Sequence, residues 1–365
     1  MLLLQINTGY FRYGFNVSDS VRTRYTEKQF RNKITIYSFI AMVVVIYIHA
    51  YNLPVYHIAE DSVGFARLVF YVESVAGSLW TAAVPMFFMI SGFLMFRNFT
   101  WDKLWNKYQT RLHTVLIPYL LWNTIYYLYY ILMTRVPFIQ RMMNGNEIVD
   151  ISLKEWISRL WTNEYFVFWF LKELIILIIL TPVIYFFLRN YGKWPVGFVM
   201  LILSVSIGSH VPYWPFNICY LLGAYIGINH KSAPLVKKRI LTIIGCGGVI
   251  AWIVLNILRV LNLCTWQLPI WMVLCCLWFA GDCVDCYEKQ TKWWMSISFF
   301  IYCMHDMILE AYEKIFLKVF GTGAVFALLD YLLMPLVTVI TLIVLAMFMR
   351  KYMSPVWKIL TGNRG

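Results

Sequence analysis

Apolar residues run along this chain in blocks of 16 to 24, separated by short polar stretches rich in Lys, Arg, Asn and Trp. A helix needs roughly 17–25 apolar residues to cross about 30 Å of hydrocarbon. The pattern predicts ten transmembrane helices, at about 34–52, 78–96, 114–133, 166–187, 196–211, 214–229, 240–258, 266–283, 297–314 and 326–349. Two further stretches, 61–77 and 150–165, alternate polar and apolar residues at helical spacing and are expected to lie in the membrane interface. The fold class is therefore all-α integral membrane.

Composition agrees with that pattern. Of 365 residues, 61% are hydrophobic and only 13% charged, against roughly 25% charged in soluble domains. Orientation follows from the Lys and Arg of the loops. Segment 1–33, the loops 97–111, 189–193, 230–239 and 288–292, and segment 350–365 hold 22 of the 31 Lys/Arg, while the opposite set holds 8. Both termini are expected to be cytoplasmic. The chain divides into a polar leader (1–33), a membrane body (34–350) and a cytoplasmic tail (351–365). The net charge of +13 is then positive-inside bias, and no nucleic-acid partner is implied. The lipid bilayer is the partner that composition demands. Cys283 and Cys286 have metal-ligand spacing without a second such pair, so no metal site is expected.

Against this background each ionisable residue within a span is a candidate for function. His49 closes the first span, and Ser38, Met42, Val45, His49 and Asn52 follow three- and four-residue steps on one face. A group at position 38 lies about 16 Å from His49 at 1.5 Å per residue. Such a stripe connects a donor on one side to an acceptor on the other. Lys172 and Glu173 are adjacent, so they point about 100° apart. They serve either in cross-helix ion pairs or in substrate binding. Tyr302, Asp306 and Glu310 form one polar face, with His305 beside it. Those carboxylates do acid–base work, hold His49 in its active tautomer, or neutralise Lys172.

The segments ending in His49-Ala-Tyr-Asn, then VPMFFMISGFLMF, RLHTVLIPYLLWN, FWFLKELIILIILTP, NICYLLGAYIG and SISFFIYCMH, taken in order, resemble the acyltransferase-3 superfamily. Its members are bacterial membrane proteins that O-acylate surface glycans. The resemblance implies that His49 is the catalytic base, that acyl-CoA, most often acetyl-CoA, is the donor, and that no cofactor is tightly bound. It also implies a location in the inner membrane. The acceptor would be a surface glycan or a lipid-linked oligosaccharide precursor. The family carries an arginine eleven residues before the histidine; this chain has Ser38 there. Arg31, Lys33, Arg97 and Arg111 are then the expected cations for the donor's phosphates. Lys172 is expected at the oxyanion, and Glu173, Asp306 or Glu310 behind His49. The alternative readings on the same scaffold are a glycan exporter and a catalytically degenerate accessory protein.

Overall fold

The computed structural model describes residues 24–136, 151–162, 166–190, 214–284 and 291–364. Those residues are almost wholly helical, with no strand among them beyond an isolated bridge between Arg24 and Val236. The helices, in chain order, are α1 (Glu27–His49), α2 (Phe65–Trp80), α3 (Ala83–Phe96), α4 (Leu104–Arg111), α5 (Ile117–Arg135), α6 (Leu153–Thr162), α7 (Trp169–Ile179) and α8 (Thr181–Asn190). They continue as α9 (Trp214–Asn229), α10 (Arg239–Val260), α11 (Ile270–Ala280), α12 (Ser298–Phe320), α13 (Ala324–Tyr352) and α14 (Ser354–Leu360).

Among the described residues, five helical runs are long and apolar enough to cross a membrane, or six if the bent pair α7–α8 is one span. The expected span 196–211 lies outside the described residues. Local chemistry explains where the runs begin and bend. Thr26 caps α1 with a reciprocal capping box: its side chain accepts from Gln29 N at 3.3 Å, and Gln29 Oε1 accepts from Thr26 N at 2.9 Å. Pro85 has no N–H for the carbonyl of Thr81, so the helix breaks between α2 and α3. Pro182 acts the same way between α7 and α8, which meet at 60°.

One expectation changes here. The segment 61–77, read as interfacial, forms most of α2, and α2 with α3 makes a single 32-residue apolar run. It packs against α1, α10 and α13. Part of its polar face points into the bundle: Glu73 is fully buried and accepts from Asn52 N at 3.4 Å, and Trp80 Nε1 donates to the Tyr331 hydroxyl at 2.9 Å, while Arg67 stays exposed. The alternation reflects a polar seam inside the bundle, which looks the same in sequence as a surface face.

The tightest helix pair is α3 with α9. A Cβ on Gly92 would overlap the Tyr220 carbonyl oxygen, one on Gly223 would overlap that of Met89, and one on Gly227 would come within 2.9 Å of that of Phe93. The Gly223-Ala-Tyr-Ile-Gly227 spacing thus lets two backbones touch, as small-residue motifs do in lipid. This contact fixes α3 as a wall of the central cavity.

Candidate active site

Helices α1, α3, α7 and α12 form most of the lining of a partly open cavity of about 290 Å³. Ser38, Met42, Val45 and His49 of α1 all line it, so the face drawn from three- and four-residue steps is one wall. Asn52 lies beyond it and donates to Asp330 Oδ2 at 3.2 Å and to the Ala327 carbonyl at 3.1 Å. Tyr56 donates to the same carboxylate at 3.1 Å. Burial, then the neighbouring Asp330, pushes that phenol above its ordinary pKa.

His49 sits at one end of the cavity. Its Nδ1 is 3.7 Å from Asp306 Oδ1, too long for a hydrogen bond but within ion-pair range. Its ring meets that of His305 edge-on, with centroids 4.9 Å apart. His305 is fully buried, and its Nδ1 lies 2.8 Å from the Tyr302 carbonyl. A carbonyl only accepts, so Nδ1 carries the proton and Nε2 is the free lone pair. That Nε2 has no hydrogen-bond partner among the described residues. The Tyr302 hydroxyl donates to the Val167 carbonyl and fixes α12 against the segment leading into α7. Glu310, one turn beyond Asp306, is held by Lys314 at 2.6 Å.

Lys172 and Glu173 are half-buried on α7 and do not line the cavity. Trp169, Phe170, Leu171 and Leu174 do. Phe170, Leu174 and Ile178, at four-residue steps, form the cavity-facing stripe of α7.

The expected donor-binding cations are dispersed. Arg31 is exposed on the first turns of α1. Lys33 is fully buried: it pairs with Asp282, donates to the Trp278 carbonyl at 2.7 Å and lies 4.3 Å over the Trp278 ring. It ties α1 to α11 and presents no charge to a ligand, which corrects its expected place at the donor's phosphates. Arg97 likewise forks onto Glu27 and lies 4.9 Å over Phe30. Both carboxylate partners are remote in sequence, so spacing gave no sign of them. Arg111 does line the cavity, at the end away from His49, and Arg364 joins it there. Nothing in the sequence pattern marked Arg364, and His305 was visible only as the neighbour of Asp306.

The fold and this site define a helical membrane protein with a cavity lined by His49 at one end, Asp306 standing behind that histidine, and by Arg111 and Arg364 at the other. The family model for the acyltransferase domain of the acyltransferase-3 type matches residues 39–350, so the chain belongs to that family. Over 125 residues it is 27% identical to the succinoglycan biosynthesis protein ExoH of Rhizobium meliloti (strain 1021), a match covering 32% of this chain and 32% of that protein. No solved structure matches the chain significantly.

Proposed function

We propose that this protein is an inner-membrane O-acyltransferase that moves an acyl group, acetyl by preference, from cytoplasmic acyl-CoA to a hydroxyl of a surface glycan or its lipid-linked precursor. The observation that carries the reading is the cavity itself. Its α1 wall leads from Ser38 to His49 over about 16 Å, with arginines at one end and His49, backed by Asp306, at the other. The relative that shares a third of the chain is a succinoglycan biosynthesis protein, which supports a polysaccharide acceptor.

The step needs a base at neutral pH, the role for which imidazole is suited. With Nδ1–H turned to Asp306, His49 Nε2 is the basic nitrogen. It takes the proton of the acceptor hydroxyl as the oxygen attacks the thioester carbonyl carbon. The C–O bond forms, the C–S bond breaks, and the imidazolium returns the proton to the departing thiolate. General-base help of this kind is worth about 10²–10⁴ in rate. Asp306 stabilises the imidazolium as it forms. Lys172, Glu173 and Glu310 take no part in this step as drawn.

The test is transfer of label from radiolabelled acetyl-CoA to glycan in purified membranes. Wild type is expected to label the polysaccharide, and His49→Ala at equal protein level is expected to abolish labelling. Full retention in His49→Ala rejects it as the base. Deletion of the gene separates transfer from export: a transferase mutant exports unacylated polymer, whereas an exporter mutant retains polymer inside.

A further inference from the structure

The cavity end opposite His49 carries two guanidinium groups. Arg111 belongs to the last turn of α4, and Arg364 follows α14. Both line the cavity, and neither has a hydrogen-bond or ion-pair partner among the described residues. The Arg364 guanidinium lies 4.6 Å over the Phe299 ring and feels the charge of Arg111. No carboxylate among the described residues lines the cavity. Two unpaired like charges facing one confined space are unfavourable until an anion lies between them.

The position of Arg364 is built rather than accidental. Helix α14 ends in a full Schellman turn: Asn363 N donates to the Lys358 carbonyl at 2.7 Å, and Gly362 N to the Ile359 carbonyl at 3.2 Å. Gly362 and Asn363 have φ of 61° and 62°, which reverses the chain. A Cβ at Gly362 would come within 2.7 Å of Thr114 Cα, so this turn sits directly on the residues that follow Arg111. Trp122 Nε1 donates to the Leu360 carbonyl at 3.0 Å, and Trp357 packs on Phe300 with ring centroids 4.9 Å apart. The reversal therefore delivers Arg364 beside Arg111.

We propose that Arg364 and Arg111 form the phosphate-binding end of the cavity. Arg364 supplies, from a remote part of the chain, the guanidinium that position 38 lacks, since Ser38 lines the same cavity. The planar fork of arginine takes phosphate oxygens two at a time, and a pair of them suits a donor bearing several phosphates. This inference rests on the acyl-CoA reading above.

The experiment uses the full chain, purified in phosphatidylcholine nanodiscs. It measures binding of adenosine 3′,5′-bisphosphate and transfer from two donors, acetyl-CoA and S-acetylpantetheine, the second lacking phosphate. Arg364→Gln is expected to raise the Kd for the bisphosphate and the KM for acetyl-CoA about tenfold or more, while kinetics with S-acetylpantetheine stay unchanged. Arg364→Lys keeps the charge without the fork and is expected to fall between. Ser38→Arg added to Arg364→Gln is expected to recover part of the lost affinity. Equal effects on both donors mean that Arg364 only props the fold, and no effect on either means that it binds nothing; each overturns the proposal. If phosphatidylglycerol, and not the bisphosphate, stabilises the protein in an Arg364-dependent way, the occupant is a lipid headgroup and the proposal falls. Arg364-dependent bisphosphate binding without acetyl transfer would keep the anion site and reject the acyl-CoA reading instead.

Discussion

Asp306→Asn keeps the shape of the side chain and removes its charge. As His49 accepts a proton it becomes an imidazolium whose Nδ1 lies 3.7 Å from Asp306 Oδ1. At that separation the attraction between unit charges is about 4 kcal/mol for an effective dielectric near 20, and about 1 kcal/mol in bulk water. The His49 and Asp306 side chains are 19% and 32% exposed, so solvent screens part of it, and a loss of about 2.7 kcal/mol is expected. That is about a hundredfold in kcat at roughly 1.4 kcal/mol per tenfold. The assay is the initial rate of acetyl transfer in membranes at matched protein level, resolved into kcat and KM. The loss is expected in kcat, with the KM for acetyl-CoA unchanged, because Asp306 lies at the end of the cavity away from the arginines. Any residual transfer in a His49→Ala background is expected not to fall further with the same substitution, since the two residues act as one unit. A kcat within threefold of wild type, or effects of the two substitutions that multiply, would refute the pairing.

Glu310→Gln is expected to change kcat less than threefold in the same assay, because its carboxylate is engaged by Lys314; a hundredfold loss would move the orienting role from Asp306 to Glu310. Lys33→Met alone is expected to destabilise the protein by about 3–5 kcal/mol by leaving Asp282 buried without its partner. Lys33→Met with Asp282→Leu is expected to recover most of that, with no change in KM for acetyl-CoA, measured by thermal unfolding and kinetics. Gly223→Val is expected to abolish the monodisperse peak in detergent chromatography, because even a Cβ there overlaps the Met89 carbonyl oxygen. The sulfurs of Cys246 and Cys283 are 3.2 Å apart, so mild oxidation is expected to join them, detected as a linked peptide by mass spectrometry. Failure to cross-link would place α10 and the end of α11 differently.

Local pattern carried the all-helical, apolar character of the chain, because lipid imposes on each span a composition that a single stretch of chain reveals. It also carried the α1 face: positions 38, 42, 45 and 49 share a wall whatever surrounds them, since helical periodicity alone aligns them. Pairing between distant helices was not legible. The sequence left three carboxylates eligible behind His49, and only the packing of α12 on α1 brings Asp306 to 3.7 Å. It offered Lys33 and Arg97 as ligand-binding cations, and tertiary structure paired them with a buried Asp282 and an exposed Glu27. It read 61–77 as a surface helix, because amphipathicity does not say whether a polar face meets water or another helix. Arg364 shows the limit most directly. A basic residue 326 positions from Ser38 has no sequence signal linking it to that site. The helix cap at Gly362 and the cradle formed by Trp122 and Thr114 decide where its charge ends up. The sequence by itself determined that the chain is built of apolar helices and which face of α1 lines the cavity. Only the fold decided which charges meet, because that depends on contacts between helices far apart in the chain.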